Sequence, residues 1–359
     1  MTYQWNEHDI ERPEPVVEKV DAIKVTTRSR VSDVMSTLDC GLNISIDDFY
    51  STGTAILHEL KKKTFGKESA ESFAASRVSR GRYRELSNRI FIPVEGNKIA
   101  LKKAPEIGWL QRLYPDVEDF LLPLPAIQGL NSSWQWYTRG IRFPVLDFTI
   151  HPFYGVYFPT RFDHLELFEE WLKTYRGNKR QAVDMGAGCG VLSFQLLKRG
   201  FEMVHAADIS PNALVSVAEN AEACGSSERL VLHKSDLFER LECRADMVVF
   251  NPPWLPASED LRGLDRAIYY EKDLFERFFE SAVHYITDRG IIVLLFSNMA
   301  EKEAISDVHP VRRELSRGGR FVCIEHRRKK VRRGSVRTKR RSGRNREFVE
   351  LWVLGRKRV

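Results

Sequence analysis

The sequence predicts a doubly wound α/β fold: a mainly parallel sheet, closed by a terminal antiparallel hairpin and preceded by a mixed α+β N-terminal domain. Three observations predict it. From about Leu165 onward, short apolar runs alternate with helix-period patterns, the sign of strand–helix–strand units. The first of these runs leads into a glycine-rich turn, Asp184-Met185-Gly186-Ala187-Gly188-Cys189-Gly190. The last two runs, Phe321–Glu325 and Phe348–Leu354, flank a polybasic stretch and are expected to pair antiparallel.

The elements justify themselves in order. Residues 1–45 are weakly patterned and read as an extended or partly ordered start. Two helices are expected over Ile46–Lys63 and Ser69–Asn88, then a hairpin over Arg89–Leu101 that turns at Glu95-Gly96-Asn97. Short helices punctuated by proline follow from Pro105 to Gln128, then an aromatic stretch, Trp134 to Phe158, that reads as β-rich. Strands are expected at Ala182–Asp184, Met203–Asp208, Leu230–His233, Met247–Phe250 and Ile291–Phe296. Val191–Lys198 is a helix stopped by Gly200, and another opens with Ser210 as N-cap and Pro211 at its first position. Leu274, Phe275, Phe278, Phe279, Ala282, Val283 and Ile286 make one apolar stripe on a third. Two domains are expected, 1–130 and 131–359, the second carrying a basic insertion at 326–346.

With 43% hydrophobic and 29% charged residues in a 359-residue chain, the composition is that of a globular protein able to bury a core without staples. The apolar run Ile291–Phe296 is far short of a membrane span. No basic start followed by an apolar stretch suggests a secretory signal. Five cysteines, odd in number and never in a C-x-x-C pair, argue against a disulfide framework and a zinc site. A cytoplasmic protein without a metal is expected. The formal net charge is +7, yet 12 Lys and Arg and no acid fall between Arg327 and Arg346, leaving −5 for the rest.

Chemistry concentrates at the carboxyl ends of the strands. Gly186, Gly188 and Gly190 alternate, so backbone can approach a ligand closely just before a helix presents its free N–H groups. The spacing is G-x-G-x-G and does not fit the dinucleotide pattern, because Val191 occupies the next position. Asp208 ends the second strand, where a carboxylate can hold two ribose hydroxyls. Asp236 follows the third, placed to accept from an adenine amino group. The fourth ends in Asn251-Pro252-Pro253-Trp254. Taken alone this is a turn with rigid prolines, but it lies at the edge where open α/β sheets bind ligands. Amide and exocyclic aromatic nitrogens are poor nucleophiles, because their lone pair is delocalised. The Asn251 side-chain oxygen and the Pro252 carbonyl can each accept one N–H of such an NH₂ group, orienting its nitrogen toward an electrophilic methyl. Trp254 would stack on the planar group.

Asp184 to Gly190, Asp208, Asp236 and Asn251 to Trp254 resemble the successive motifs of class I S-adenosylmethionine-dependent methyltransferases, with their Rossmann-like sheet. Those with Asn-Pro-Pro-aromatic methylate planar amino nitrogens. Gly155 to Asp163, with Leu165, Leu167 and Trp171, resembles the lead-in segment of the methyltransferase small-domain group. Gly263-Leu264-Asp265 through Tyr269-Tyr270 is similar to the release-factor glutamine methyltransferases. Trp254 stands where those enzymes usually have Tyr, and the lead-in lacks their Pro-Arg-Pro-Glu-Thr run. The resemblance spans about residues 141–355. It implies S-adenosyl-L-methionine as cofactor, with Asp184, Gly186, Gly188, Gly190, Asp208, Ile209, Asp236, Leu237, Thr160 and Arg161 around it. Asn251, Pro252, Pro253 and Trp254 would make the catalytic motif.

The polybasic segment is expected to dock phosphates through Arg327, Arg328, Lys329, Lys330, Arg332, Arg333, Arg337, Lys339, Arg340 and Arg341. A solvated loop or a localisation signal is its plainer reading. No aromatic residue interleaves it, so base stacking there is not expected. RNA is the favoured methyl acceptor. A glutamine amide of a translation factor or ribosomal protein is the alternative, and a catalytically silent nucleic-acid-binding module or a nicotinamide oxidoreductase fits less well. Residues 1–130 are expected to select the substrate. Cys189 is expected to be a small buried residue. His151, His164, Tyr269 and Tyr270 lie where substrate or core contacts are both open.

Overall fold

The N-terminal stretch that reads as weakly patterned folds into β1 (Ala22–Val25), α1 (Val31–Asp39) and β2 (Asn43–Ile46). Helix α1 has only nine residues and buries Val34, Met35 and Leu38, too few apolar positions to stand out in sequence. The computed structural model describes residues 9–66, 73–257, 269–298, 309–317, 319–332 and 347–357. Two units divide the chain: Arg12–Thr138, and Arg139–Val359 with Met1–Glu11.

The first unit continues with α2 (Tyr50–Thr64), α3 (Phe73–Ser87), β3 (Ile90–Glu95), β4 (Lys98–Ile99), α4 (Gly108–Leu113), β5 (Phe120–Pro123) and α5 (Leu124–Arg139). Strands β1, β2 and β3 run parallel, and β4 and β5 pair antiparallel with β3. The expected hairpin is present, with Gly96 and Asn97 at φ +55° and +57°, the left-handed pair that a two-residue turn needs. The β-rich expectation for the aromatic stretch is corrected over Trp134–Arg139, which is helical. Trp134 and Trp136 suggest a period of two, but the operative set is Ile127, Leu130, Trp134 and Tyr137, at helical spacing. Ile127 and Leu130 are fully buried, Trp134 meets Trp109 of α4 edge to face at 5.3 Å, and Tyr137 packs on Trp109 at a tilt at 4.6 Å. Position 130 therefore lies inside a helix, and the two units part after Thr138.

The second unit opens with a small ribbon, β6 (Ile141–Arg142) against β7 (Thr149–Ile150). There follow α6 (Asp163–Leu172), β8 (Gln181–Met185), α7 (Val191–Lys198), β9 (Met203–Asp208), α8 (Pro211–Ala223), β10 (Leu230–Lys234) and β11 (Ala245–Phe250). Then come β12 (Leu255–Pro256), β13 (Tyr269–Tyr270), α9 (Leu274–Tyr285), β14 (Ile286–Ser297), α10 (Pro310–Ser316), β15 (Phe321–Lys330) and β16 (Phe348–Arg356). The seven-stranded sheet has the order β10-β9-β8-β11-β14-β16-β15. Its first five strands are parallel and β16 is antiparallel to both neighbours. Every residue of β11 is buried, as expected of a strand covered on both faces. The α9 stripe delivers Phe278 and Phe279, almost fully buried, into a core with Phe250, Ile292 and Leu294.

The basic insertion begins later than its composition suggests. Strand β15 runs through Arg327, Arg328, Lys329 and Lys330, with Lys330 opposite Phe348. Like charges next to one another are tolerated because β16 supplies backbone partners and nearby carboxylates supply the counter-charge. Residues 333–346, with Arg333, Arg337, Lys339, Arg340 and Arg341, lie outside the described residues, as does Gly263-Leu264-Asp265.

Candidate active site

Strands β8 and β11 are hydrogen-bonded neighbours with Met185 opposite Phe250, so the turns after them start side by side. From β8 the chain lays β9 and β10 to one side and β11 and β14 to the other. The crevice between β8 and β11 is thus the topological switch point, where such sheets bind ligands.

On the β8 side, Gly186, Gly188 and Gly190 all have positive φ, +65°, +53° and +85°. A Cβ on Gly188 would lie 3.3 Å from the Tyr157 carbonyl oxygen, and one on Gly190 2.9 Å from the Phe194 ring. Only glycine fits this loop without strain. Asp184 is fully buried beneath it, and one carboxylate oxygen accepts from the backbone N–H and hydroxyl of Ser193 at 2.8 and 2.6 Å. The other oxygen has no partner among the described residues. Burial pushes its pKa up to about 7 against those two bonds. Asp208 accepts from the Gly188 N–H on one oxygen and the Ser210 N–H on the other, both at 2.9 Å. It therefore braces the loop, and its remaining lone pairs are open to hydroxyl donors. Ser210 precedes α8 as expected but makes no side-chain cap bond; Asp208 takes its N–H instead. Ile209, next to Asp208, is 49% exposed, an apolar surface where a planar base can rest.

Asp236 forms an ion pair with Arg277 of α9, and Leu237 beside it is buried with φ +50°, a conformation that side chains rarely adopt. Cys189 is buried, and burial pushes its thiol up to about 12, so it is an inert filler.

On the β11 side, the Asn251 side-chain oxygen is buried and has no hydrogen-bond partner among the described residues. Pro252 is buried behind it, and Pro253 is partly exposed. The Trp254 indole N–H donates to the Leu295 carbonyl at 3.3 Å, and its ring meets His164 edge to face. Strand β12, just past the motif, pairs with β13, and Tyr270 packs on Phe275 while Tyr269 is 37% exposed.

Three side chains that sequence reasoning passes over hold the lead-in segment down. Asn212, Ser216 and Asn220 are buried at i, i+4 and i+8 along α8. Asn212 donates to the Tyr154 carbonyl at 2.8 Å, Ser216 accepts from the Phe153 N–H at 3.2 Å, and Asn220 both accepts from and donates to the His151 backbone at 2.8 and 3.0 Å. Small polar residues at helical spacing among apolar ones are the signal that could have found them. The segment then passes the glycine loop at Tyr157 and reaches Trp254 at His164. Thr160 is exposed. Arg161 donates to both oxygens of Glu347 at 2.8 and 2.9 Å, so its guanidinium is held by protein.

The cations of β15 are held likewise. Arg327 pairs with Glu325, Arg328 with the buried Glu350 at 2.9 Å, and Lys329 with Glu166 and Glu170 at 3.1 and 2.7 Å. Arg332 pairs with Glu166 at 2.6 Å, and its backbone N–H donates to Asp163 at 3.1 Å. Lys330 is exposed.

The geometry therefore offers a glycine cradle, an orphaned carboxylate oxygen and an orphaned amide oxygen around one crevice, a fit to a polar cofactor beside a planar acceptor. Residues 147–325, about half of the chain, match the family described as Methyltransferase small domain. The chain is 30% identical over 141 residues to the release factor glutamine methyltransferase of Lactococcus lactis, covering 36% of this chain and 52% of that one. It is 29% identical over 206 residues to the ribosomal protein uL3 glutamine methyltransferase of Bordetella pertussis, covering 52% and 65%. It is 31% identical over 100 residues to the tRNA1(Val) (adenine(37)-N6)-methyltransferase of Actinobacillus pleuropneumoniae, covering 27% and 40%. The chain spans less than two thirds of the length of each of these three relatives.

Proposed function

The chain belongs to the methyltransferase small-domain family of class I S-adenosylmethionine-dependent N-methyltransferases, and from that premise we propose that it methylates an amino nitrogen of an RNA base. The single observation that carries the acceptor chemistry is the buried, unpartnered Asn251 oxygen at the switch point. A buried acceptor with no partner among the described residues is costly until a ligand supplies the N–H.

When bound, the cofactor's sulfonium supplies an electrophilic methyl group. The glycine loop would hold its methionyl part, with Asp184 beneath the loop. Asp208 would take the ribose hydroxyls on its remaining lone pairs, and Ile209 and Leu237 would flank the adenine. Asp236 reaches the adenine amino group from its pairing with Arg277. Asn251 and the Pro252 carbonyl each accept one N–H of the target NH₂, which turns its lone pair toward the methyl, while Trp254 stacks on the plane. The alkylated nitrogen would pass its extra proton to solvent, so no strong base would be needed, and the cofactor would leave as the neutral thioether. A base inside a duplex has to leave the stack to reach Asn251, and a loop base does not.

The polybasic run supports a nucleic-acid partner. Because Arg327, Arg328, Lys329 and Arg332 are neutralised internally, phosphate docking falls on Lys330 and on the seven Lys and Arg between Arg333 and Arg346. A glutamine amide is the second reading, supported by that internal pairing and by the names of two of the relatives. Residues 12–138 are proposed to select the acceptor. The five cysteines are free thiols, which supports a reducing compartment such as the cytoplasm. No helix among the described residues is long and apolar enough to cross a membrane.

The test is transfer of labelled methyl into fractionated cell extract by wild type and by Asn251→Ala. Label in RNA that is lost with the variant is the expected result, and digestion to nucleosides names the base. Asn251-dependent label in protein moves the assignment to glutamine. Cofactor binding without any Asn251-dependent label overturns both.

A further inference from the structure

His164 stands in the first turn of α6 with 2% of its surface exposed, and neither ring nitrogen has a hydrogen-bond partner among the described residues. Burial drives its pKa down to about 4, against an opposing pull from the neighbouring Asp163. The ring is therefore neutral at neutral pH. A buried imidazole without hydrogen bonds costs free energy and gains nothing from its nitrogens. What it contributes is a flat ring of fixed orientation.

That ring faces the catalytic motif. The centroids of His164 and Trp254 are 5.4 Å apart and their planes are at 88°, the edge-to-face arrangement that aromatic quadrupoles favour. Trp254 has a second tether, its indole N–H to the Leu295 carbonyl on β14. The hydrogen bond and the ring contact hold the indole together. The platform under His164 is held in turn: Asp163 accepts from the Arg332 backbone, and Glu166 pairs with Lys329 and Arg332. The start of α6 is thus fastened to the β15–β16 hairpin, and His164 carries that fixed position to Trp254.

We infer that His164 is a positioning residue that sets the plane of Trp254 for the planar methyl acceptor, acting through its ring and not through its nitrogens. The inference rests on the reading of Asn251–Trp254 as the acceptor site. It separates His164 from the cofactor-facing residues, none of which it touches in the described contacts.

The full chain carrying His164→Ala or His164→Phe tests it with three readouts. The first is the near-ultraviolet circular dichroism of Trp254, isolated as the difference between each protein and the same protein with Trp254→Phe. The second is labelled-methyl incorporation into the fraction that wild type labels, and the third is S-adenosylmethionine binding by calorimetry. In His164→Ala the Trp254 band collapses and incorporation falls about tenfold, as a small misplacement of an acceptor platform produces, while cofactor affinity is unchanged. In His164→Phe both the band and the incorporation return to near wild type, since an edge-to-face ring is restored. Should His164→Ala lose its cooperative melt, His164→Leu, which fills the space without a π face, replaces it with the same expectation. Failure of His164→Phe to rescue would give the role to the nitrogens and overturn the inference. An unchanged band and unchanged incorporation in His164→Ala would also overturn it. Asn251→Ala run in parallel separates the two levels: if it keeps full incorporation, the acceptor-site reading fails while the Trp254 band still reports on His164.

Discussion

The switch-point crevice and the β15–β16 hairpin are both rich in polar groups, and they treat them in opposite ways. In the crevice, one oxygen of Asp184 and the oxygen of Asn251 are buried with no partner among the described residues. In the hairpin, Arg328, Lys329 and Arg332 are each matched to carboxylates that are themselves buried or largely so, Glu350 and Glu166 among them. Charge density alone points to the hairpin as the binding element. Satisfaction of the polar groups points to the crevice, because an orphaned acceptor stays costly until a ligand arrives and a paired cation has already been used.

The contrast can be broken most sharply at Asn251. Asn251→Ala should lower the methylation rate by about 10²–10³, the scale of losing one oriented polar contact to the reacting centre, with S-adenosylmethionine affinity kept. Replacing the seven Lys and Arg between Arg333 and Arg346 by Ser comes next. If RNA is the acceptor, the slope of log affinity against log salt should flatten by up to about 5, from roughly 0.7 per single-strand phosphate contact. Arg328→Ala should leave that slope unchanged, because its charge is spent on Glu350. An equal flattening from both would erase the distinction between the two regions.

A pH experiment sharpens the crevice side. His164 titrates near 4 in the folded chain because it is buried, below the ordinary value near 6.5 of an unfolded chain. Between those values the unfolded state binds the extra proton, so the contribution of His164 is full above about pH 6.5 and is lost as pH falls toward 4. Asp184, raised to about 7 by burial, has the opposite slope across that whole range, so the clean measurement is a difference. His164→Phe should gain stability relative to wild type as pH drops from 6.5 to 4, by up to roughly 3 kcal/mol. Urea unfolding at a series of pH values measures it, and a pH-independent difference would mean that His164 is not neutral and buried. Smallest of all, Arg327→Ala should change neither melting temperature nor methylation measurably, since its partner Glu325 is 39% exposed and surface pairs contribute little.

How much was legible depends on the range of the interactions involved. The glycine loop, the Asn-Pro-Pro-Trp turn and the acids at strand ends are read from consecutive residues, because the backbone conformations and strand order they require are encoded locally. Their arrangement around one crevice follows from the alternation of strands and helices. The helix over Trp134–Arg139 was not legible, because two tryptophans two residues apart imitate a strand while their packing on Trp109 is decided 25 residues away. The extent of β15 was not legible either, since a run of like charge reads as solvated until Glu166, Glu170 and Glu350 are brought to it from more than 20 residues away in either direction.

Local pattern thus specifies the fold class of the second unit, the glycine loop, the acids at the strand ends and the Asn-Pro-Pro-Trp turn, because each is a short pattern with a local physical demand. Tertiary structure alone decided which polar groups are spent and which are open: that Arg161 belongs to Glu347, that Asp208 braces the glycine loop, that Asn212, Ser216 and Asn220 strap down the lead-in, and that His164 meets Trp254. The physical reason is that a hydrogen bond or ring contact is a property of a pair, and the partner's place is settled only when the chain has folded.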